Sequence, residues 1–133
     1  MKYSLTEQMI VVAARLLKDG DVVYTGVGLP TVATLLARHT HAPNLTIIFE
    51  TGIIRTEPCP LPHGVDTLPS QTHADKLSDA FYINTLAERG FVNVGFVGAG
   101  QIDRHGNINS TCSGPYSQPA FRFPGGGGAC DIT

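Results

Sequence analysis

The chain has 133 residues, of which 15% are charged, and its formal net charge at pH 7 is −2. The length suits one domain over residues 1–133, and the hydrophobic content of 42% allows a sizeable core. The mildly acidic balance disfavours nucleic-acid binding, and the longest apolar run, Met9–Ala14, is far shorter than a bilayer span. Because a typical domain carries about 25% charged residues, the low charge indicates a surface that faces a partner chain.

The three cysteines, Cys59, Cys112 and Cys130, are an odd number without Cys-x-x-Cys spacing. This pattern disfavours both a disulfide framework and a zinc knuckle. The five histidines contain no pair at the i, i+4 spacing of a helical zinc site, so we expect no bound metal. The cysteine pattern fits a reducing cytoplasm, where we expect the protein to function, and the N-terminus lacks the basic and apolar regions of a signal peptide.

Residues 4–19 form the first predicted helix. Ser4 and Glu7 have the spacing of a capping box, and Gly20 is placed to end the helix. Apolar residues repeat at the helical period and predict one face that packs on the core. The residues of this face are Met9, Val12, Ala13, Leu16 and Leu17.

Strands and helices then alternate along the chain. A β-branched run over residues 21–25 predicts a strand, and Pro30 suits the first turn of a helix over about 30–39. Five apolar or β-forming residues at 45–49 predict a strand that is buried on both faces. This alternation predicts an α/β fold with a mostly parallel sheet and crossover helices.

The second half of the chain is less regular. Four prolines predict an ordered or semi-rigid loop over residues 55–70; they are Pro58, Pro60, Pro62 and Pro69. A helix over about 74–88 and a strand over 92–97 are expected to follow. Residues 112–133 contain only two charged side chains, Arg122 and Asp131.

Glu50 is the most informative candidate residue. It follows the predicted strand 45–49 and precedes Thr51 and Gly52. Ligands of parallel sheets bind outside the carboxyl ends of the strands, so a carboxylate here is well placed to react with one. Gly52 would permit close backbone approach by that ligand. The alternative is a carboxylate that only caps the next turn.

The segment Gly26-Val27-Gly28 also lies between a predicted strand and a predicted helix. Its backbone amides are expected to point to the space above the sheet, near a helix N-terminus that favours negative charge. Thr31 stands where a dinucleotide-binding fingerprint requires glycine, which disfavours that function. The alternative, which the spacing alone favours, is a tight strand-to-helix turn.

Two further segments lie in the second half of the chain. Four consecutive glycines, Gly125–Gly128, lose too much entropy for the interior of a helix or strand. They could form a nest of amides for an anionic oxygen or a flexible tail. In the segment from Gly98 to Asn107, turn-forming residues predict a strand end and a turn, with structural roles for Asp103 and Asn107.

Taken together and in order, four motifs resemble the beta subunit of family I CoA-transferases, of the glutaconate CoA-transferase type. The motifs are Gly26-Val27-Gly28-Leu29-Pro30-Thr31, Phe49-Glu50-Thr51-Gly52, Gly98-Ala99-Gly100-Gln101-Ile102-Asp103 with Gly106-Asn107-Ile108-Asn109-Ser110, and Gly126-Gly127-Gly128-Ala129-Cys130-Asp131. The likeness runs over nearly the whole chain. Thr51 replaces the Asn or Ser that is commoner in the family, and the family's beta subunits are considerably longer than this chain.

The resemblance implies a truncated form of the family's three-layer α/β fold. It also implies transfer of coenzyme A between an acyl-CoA and a carboxylic acid, with Glu50 as the catalytic nucleophile that carries a glutamyl-CoA thioester. The implied partner is an alpha-type subunit, and the acyl-CoA thioester is a substrate, with no permanently bound cofactor and no metal. The implied oxyanion or CoA-binding residues are Gly26, Val27, Gly28, Gly98, Gln101, Gly126, Gly127, Gly128 and Ala129.

Two other functions remain open at this point. A hydrolase of the same fold would act on acyl-CoA thioesters or on a ring-cleavage product, and it would release CoA without an acceptor acid. A truncated, non-catalytic protein would homo-oligomerise and bind an acyl or CoA-like ligand weakly. The low charge of residues 112–133 fits a face that the rest of a longer subunit and its partner would cover.

Overall fold

The computed structural model describes residues 3–132 of the chain. They form two compact units, of which the first ends at Phe96 and the second begins at Val97. The single domain over residues 1–133 stays a prediction, and its end positions 1, 2 and 133 lie outside the described residues. In the described part of the chain, no helix is long and apolar enough to cross a membrane.

The first helix, α1 (Leu5–Leu16), begins at the predicted capping box. The Glu7 N–H donates to the Ser4 hydroxyl at 3.2 Å, and the Ser4 N–H donates to the Glu7 carboxylate at 2.8 Å. These bonds satisfy N–H groups that a helix start leaves without helical partners. The helix ends earlier than predicted, because Leu17 adopts an extended conformation with φ −81° and ψ 141°.

The apolar face predicted for α1 is wrong in most of its members. Met9, Val12 and Leu16 are 53, 52 and 68% exposed. Of the predicted face, Leu17 is confirmed in the core at 2% exposed, together with Ala14, which was not predicted. Ile10, Ala14 and Leu17 also repeat at helical spacing. The helix therefore carries two apolar stripes, and periodicity alone does not determine which stripe packs inward.

The first unit contains a five-stranded sheet with the order β4-β3-β2-β1-β5. Its strands are β1 (Val22–Tyr24), β2 (Thr46–Phe49), β3 (Ile53–Ile54), β4 (Lys76–Leu77) and β5 (Val94–Gly95). Strand β1 is parallel to β2 and to β5, as predicted, whereas β3 is antiparallel to both of its neighbours. The predicted α/β fold is confirmed, and the sheet is mixed because the chain reverses directly after β2.

The core of the first unit is centred on β2. Ile47, Ile48 and Phe49 are at most 2% exposed. Since successive residues of a strand point to opposite faces of the sheet, β2 is buried on both faces, as its apolar run predicts. The residue that follows β2 is Glu50, so its backbone starts from a fixed, fully packed strand end.

Two more helices belong to the first unit. Helix α2 (Leu29–Thr40) lies between β1 and β2 in the chain and packs on α1. Helix α3 (Ala80–Glu88) begins later than the predicted position 74, because Asp79 caps it: its carboxylate accepts from the Tyr82 N–H at 2.8 Å. Between β3 and β4 runs the predicted ordered loop, which contains one short 3₁₀ helix, Leu68–Gln71.

The second unit contains two antiparallel hairpins. Strand β6 (Gln101–Ile102) pairs with β7 (Ile108–Asn109), and β8 (Cys112–Ser113) pairs with β9 (Phe121–Arg122). The Asp103 carboxylate accepts from the N–H groups of His105 and Asn107 at 2.8 and 2.9 Å and closes the first hairpin, as the turn residues predict. Hydrogen bonds from the Asn107 side chain and backbone lower the pKa of Asp103 below its usual value.

Candidate active site

Glu50 lies on a tight turn directly after β2. The Gly52 N–H donates to the Phe49 carbonyl at 3.0 Å, which places Glu50 and Thr51 at the two central positions of the turn. The chain then reverses, and Ile53 pairs with Phe49. Glu50 is half-buried. It therefore lies where the sequence predicts, at the carboxyl end of a buried strand, but on a hairpin turn.

Both the backbone conformation at position 52 and the neighbouring backbone of Ser78 require a glycine. The φ of +106° at Gly52 favours glycine, and a Cβ at this position would lie 2.4 Å from the carbonyl carbon and oxygen of Ser78. The Ser78 N–H also donates to the Gly52 carbonyl at 2.8 Å. The sequence predicts that a ligand closely approaches Gly52. In the structure, the backbone of Ser78 makes this approach.

Thr51 connects the turn to the loop between β3 and β4, residues 55–75, which we call the proline-rich loop. Its hydroxyl donates to the Val65 carbonyl at 2.8 Å in a partly buried environment. The same loop contains Thr56, which is fully buried and whose hydroxyl lies 2.6 and 2.9 Å from the carbonyls of Ser70 and Thr72. Hydroxyl-to-carbonyl hydrogen bonds therefore order this loop, and the turn that carries Glu50 is part of the same network.

The loop Gly26–Gly28 lies at the carboxyl end of β1. Because β1 and β2 are parallel neighbours, with Tyr24 opposite Ile48, the chain leaves both strands at the same edge of the sheet. Ligands of such sheets bind at this edge. The structure thus brings the predicted glycine loop and Glu50 to adjacent strand ends of the first unit.

Local hydrogen bonds hold this glycine loop against α2. The Thr31 hydroxyl donates to the Gly26 carbonyl at 2.8 Å. Gly28, with a φ of +90°, precedes the first residue of α2 and has open space where a Cβ would stand. The loop is therefore a defined strand-to-helix turn that meets a helix N-terminus, where partial positive charge accumulates.

The remaining candidate residues lie in the second unit; they are Gly98, Gln101, Gly126, Gly127, Gly128 and Ala129. Gln101 is exposed, and its side-chain carbonyl accepts from the Asn109 amide at 2.8 Å across the hairpin. This structural role of Gln101 was not predicted from the sequence. The contact depends on the register in which the two strands pair, and the sequence of a single strand does not predict that register.

The run of four glycines is not a simple tail. Gly127 and Gly128 begin a short 3₁₀ helix, Gly127–Asp131, and Gly125 and Gly126 precede it. The backbone explains why glycine occurs here, because φ is +105° at Gly125 and +52° at Gly127. Gly126 has right-handed helical angles, φ −87° and ψ −19°. A right-handed residue followed by one of positive φ is the backbone pattern of an amide nest.

Two ion pairs that local sequence patterns do not predict involve the proline-rich loop, and one of them ties the loop to α2. The Arg38 guanidinium donates to the Thr56 carbonyl at 2.9 Å and pairs with the Glu57 carboxylate. Arg55 pairs with Asp75 at 3.2 Å. Within residues 3–132, no group of three or more His, Cys, Asp or Glu side chains is arranged to hold a metal ion.

Comparison with known proteins identifies the family. The sequence matches the family described as Coenzyme A transferase over residues 6–133. It is 42% identical over 132 residues to one subunit of the 3-oxoadipate CoA-transferase from Pseudomonas knackmussii, and the match covers 98% of this chain and 51% of that subunit. One subunit of the glutaconate CoA-transferase from Acidaminococcus fermentans is 35% identical over 136 residues, with the same two coverages. The chain spans about half the length of these curated relatives.

Solved structures agree with the sequence matches. Glutaconate coenzyme A-transferase from Acidaminococcus fermentans superimposes with a TM-score of 0.90 at 32% identity, over 98% of this chain and 52% of that chain. The decarboxylase AibA/AibB gives a TM-score of 0.86 at 32% identity, over 98% and 55%. Since these two proteins are named for different reactions, the fold identifies the family and the site must identify the chemistry. The resemblance carried by the four motifs is thereby confirmed, and the chain belongs to the coenzyme A transferase family.

Proposed function

We propose that the chain is the glutamate-bearing part of a CoA-transferase, which moves coenzyme A between an acyl-CoA and a carboxylic acid. The observation that carries the proposal is the position of Glu50 on its turn, one strand away from the glycine loop Gly26–Gly28. A carboxylate nucleophile beside backbone amides suits acyl transfer between two carboxylic acids. The relatives named as CoA-transferases of 3-oxoadipate and glutaconate support the same reaction.

In the first half-reaction, a Glu50 carboxylate oxygen attacks the thioester carbonyl of the acyl-CoA. The C–S bond breaks, CoA leaves as a thiolate, and the acyl group is joined to Glu50 as a mixed anhydride. The thiolate then attacks the Glu50 carbonyl carbon and releases the original acid as a carboxylate. The product is a glutamyl-CoA thioester, which keeps the energy of the original thioester bond.

The second half-reaction runs in the opposite direction with the acceptor acid. The acceptor carboxylate attacks the glutamyl thioester and displaces the CoA thiolate, which gives a second mixed anhydride. The thiolate attacks the acceptor's acyl carbon, and Glu50 leaves as a free carboxylate. No oxidant, metal or permanently bound cofactor enters this sequence. Water must be excluded, because hydrolysis of either intermediate would end the cycle without transfer.

Each tetrahedral intermediate carries negative charge on the former carbonyl oxygen. Backbone N–H donors aimed at that oxygen are each worth on the order of 10²–10³ in rate. The proposed donors are the amides of Val27, Gly28, Gly127 and Gly128. Gly28 leaves open space where a Cβ would stand, and the angles at Gly126 and Gly127 fit a nest. The remaining proposed CoA-binding residues are Gly26, Gly98, Gln101, Gly126 and Ala129.

An alpha-type partner subunit forms part of the proposal. Each of the two curated relatives is named as one subunit of its enzyme. Coenzyme A carries phosphate groups that need basic partners, but this chain has only nine Lys and Arg residues. Arg38 and Arg55 are already paired with Glu57 and Asp75. We therefore propose that the partner supplies much of the positive charge that binds CoA.

We also propose a reducing, cytoplasmic environment for the protein. All three cysteines are free thiols. Two of them, Cys59 and Cys130, are exposed. Exposed thiols that remain unpaired are typical of proteins that function in a reducing compartment.

The test measures CoA transfer by the purified chain, alone and with the alpha-type subunit of a 3-oxoadipate or glutaconate CoA-transferase. Acetyl-CoA and succinyl-CoA serve as donors, and glutaconate and 3-oxoadipate serve as acceptors. Formation of the new acyl-CoA without net release of thiol supports the proposal. Thiol release that needs no acceptor would show a hydrolase instead. A homo-oligomer that ignores the alpha-type subunit and transfers nothing would contradict the proposal.

A further inference from the structure

We propose that Thr51 is a positioning residue for Glu50, acting through its hydrogen bond to Val65. This inference rests on the proposed function, because it assigns a role in the attack of the Glu50 carboxylate on the thioester. The Thr51 hydroxyl anchors the turn to the proline-rich loop. It thereby limits the movement of the peptide group that Glu50 and Thr51 share.

The two ends of the turn are fixed by packed backbone. Phe49, before the turn, is 0% exposed in the core. Gly52, after it, is held against the Ser78 backbone by a 2.8 Å hydrogen bond. Glu50 and Thr51 lie between these points at the central positions of the turn. The hydrogen bond from the Gly52 N–H to the Phe49 carbonyl closes the turn, and the Thr51 hydroxyl adds a bond from a central residue of the turn to the proline-rich loop.

The acceptor of the Thr51 hydrogen bond is itself well anchored. Val65 follows Gly64, whose carbonyl accepts from the Thr67 hydroxyl at 2.9 Å and from the Ser70 hydroxyl at 2.8 Å. Ser70 is fully buried. The Thr51 hydroxyl therefore connects the turn to a part of the loop that several hydrogen bonds hold in place. This connection restricts the movement of the turn.

The side chain of threonine suits this role. Its β-branch restricts χ1 to few rotamers, so the hydroxyl is held in the direction of the Val65 carbonyl with little loss of entropy on forming the bond. Valine has nearly the same shape but no hydroxyl, and serine has the hydroxyl without the methyl group. Thr51→Val therefore removes the anchor with little change in packing, and Thr51→Ser retains it.

The test compares Thr51→Val, Thr51→Ser and the control Thr72→Val in the complex with the alpha-type subunit. Thr72 lies in the same loop, and its hydroxyl donates to the Pro69 carbonyl at 2.9 Å. Because a displacement of about 1 Å can lower a rate by about 10²-fold, we expect Thr51→Val to lower kcat about tenfold to a hundredfold. The KM for acyl-CoA should change less than about twofold, because the substitution removes none of the proposed CoA-binding residues.

Two further variants distinguish a positioning role of Thr51 from a general loss of structure. Thr51→Ser should have most of the wild-type kcat. Thr72→Val should also keep the wild-type kcat, even if its melting temperature falls as much as that of Thr51→Val. Thr51→Ala replaces the valine variant if the latter fails to fold. An unchanged kcat in the folded Thr51→Val or Thr51→Ala protein overturns the inference, provided that the wild type forms the Glu50 thioester. A wild type without that thioester overturns the proposed function, and the inference with it.

Discussion

The backbone of Ser78 lies directly against Gly52, so that a Cβ on Gly52 would be 2.4 Å from the Ser78 carbonyl carbon. The Ser78 N–H donates to the Gly52 carbonyl at 2.8 Å in the same contact. Ser78 precedes Asp79, the cap of α3. The turn that carries Glu50 is thus held by the segment that begins the next helix.

We expect Gly52→Ala to destabilise the protein by at least about 3 kcal/mol. The substitution combines a positive φ that disfavours alanine, which costs about 1–2 kcal/mol, with a backbone clash that requires the turn or Ser78 to move. Chemical denaturation followed by circular dichroism measures the loss.

Gly90→Ala is the matched control. Gly90 also has a positive φ, +76°, but no atom of the described residues lies within 4 Å of its Cβ position. Its loss should therefore be about 1–2 kcal/mol, from the backbone conformation alone. Equal losses for the two variants would contradict the close packing of Gly52 against Ser78.

Two adjacent leucines at the end of α1 test which side chains of the predicted apolar face are buried. Leu17 is 2% exposed in the core, and Leu16 is 68% exposed. Leu17→Ala should lower the free energy of unfolding by about 2–5 kcal/mol, while Leu16→Ala should change it by less than about 0.5 kcal/mol. The two variants lose the same atoms, so urea denaturation compares their burial directly. A larger loss for Leu16→Ala would contradict the burial of Leu17 and the exposure of Leu16 in the structure.

The first hairpin of the second unit should lose stability in acid. Hydrogen bonds from Asn107 lower the pKa of Asp103 below its usual value of 3.8. A carboxyl group whose pKa is lowered by folding contributes stability that is present above pH 3.8 and is lost as the pH falls through the lowered value. The pH dependence of the Asp103 carboxyl resonance measured by NMR should show a midpoint below 3.8.

Asn107→Ala provides the control for this titration. It removes the Asn107 side-chain bond to Asp103, which is 2.8 Å long, and should move the pKa of Asp103 towards its usual value. An Asp103 that titrates normally in the wild type would show that these bonds do not form in solution.

Local patterns predicted most of the first unit. The capping box at Ser4, the buried run of β2 and the position of Glu50 after it all follow from short stretches of sequence, and the structure places them as predicted. Such features depend on neighbours within a few residues. The same holds for the turn closed by Asp103 in the second unit.

Features that depend on distant residues were not predictable in this way. The antiparallel pairing of β3 with β4 joins Gly52 to Ser78 and Ile54 to Lys76, which are more than 20 residues apart in the chain. The inward stripe of α1 depends on its packing against α2, a separate element of the chain. The anchor from Thr51 to Val65 spans the proline-rich loop, whose course no periodicity describes.

The proposed reaction requires Glu50 to carry CoA as a thioester. The most direct measurement treats the complex with acyl-CoA and no acceptor, reduces it with borohydride, and locates the modified residue by peptide mass spectrometry. In the wild type, we expect reduction of Glu50 to the alcohol. Glu50→Gln should show no modification and lose at least about 10³-fold in transfer, whereas the control Glu57→Gln should retain both. Modification at another residue, or full transfer by Glu50→Gln, would show that Glu50 is not the residue that carries CoA.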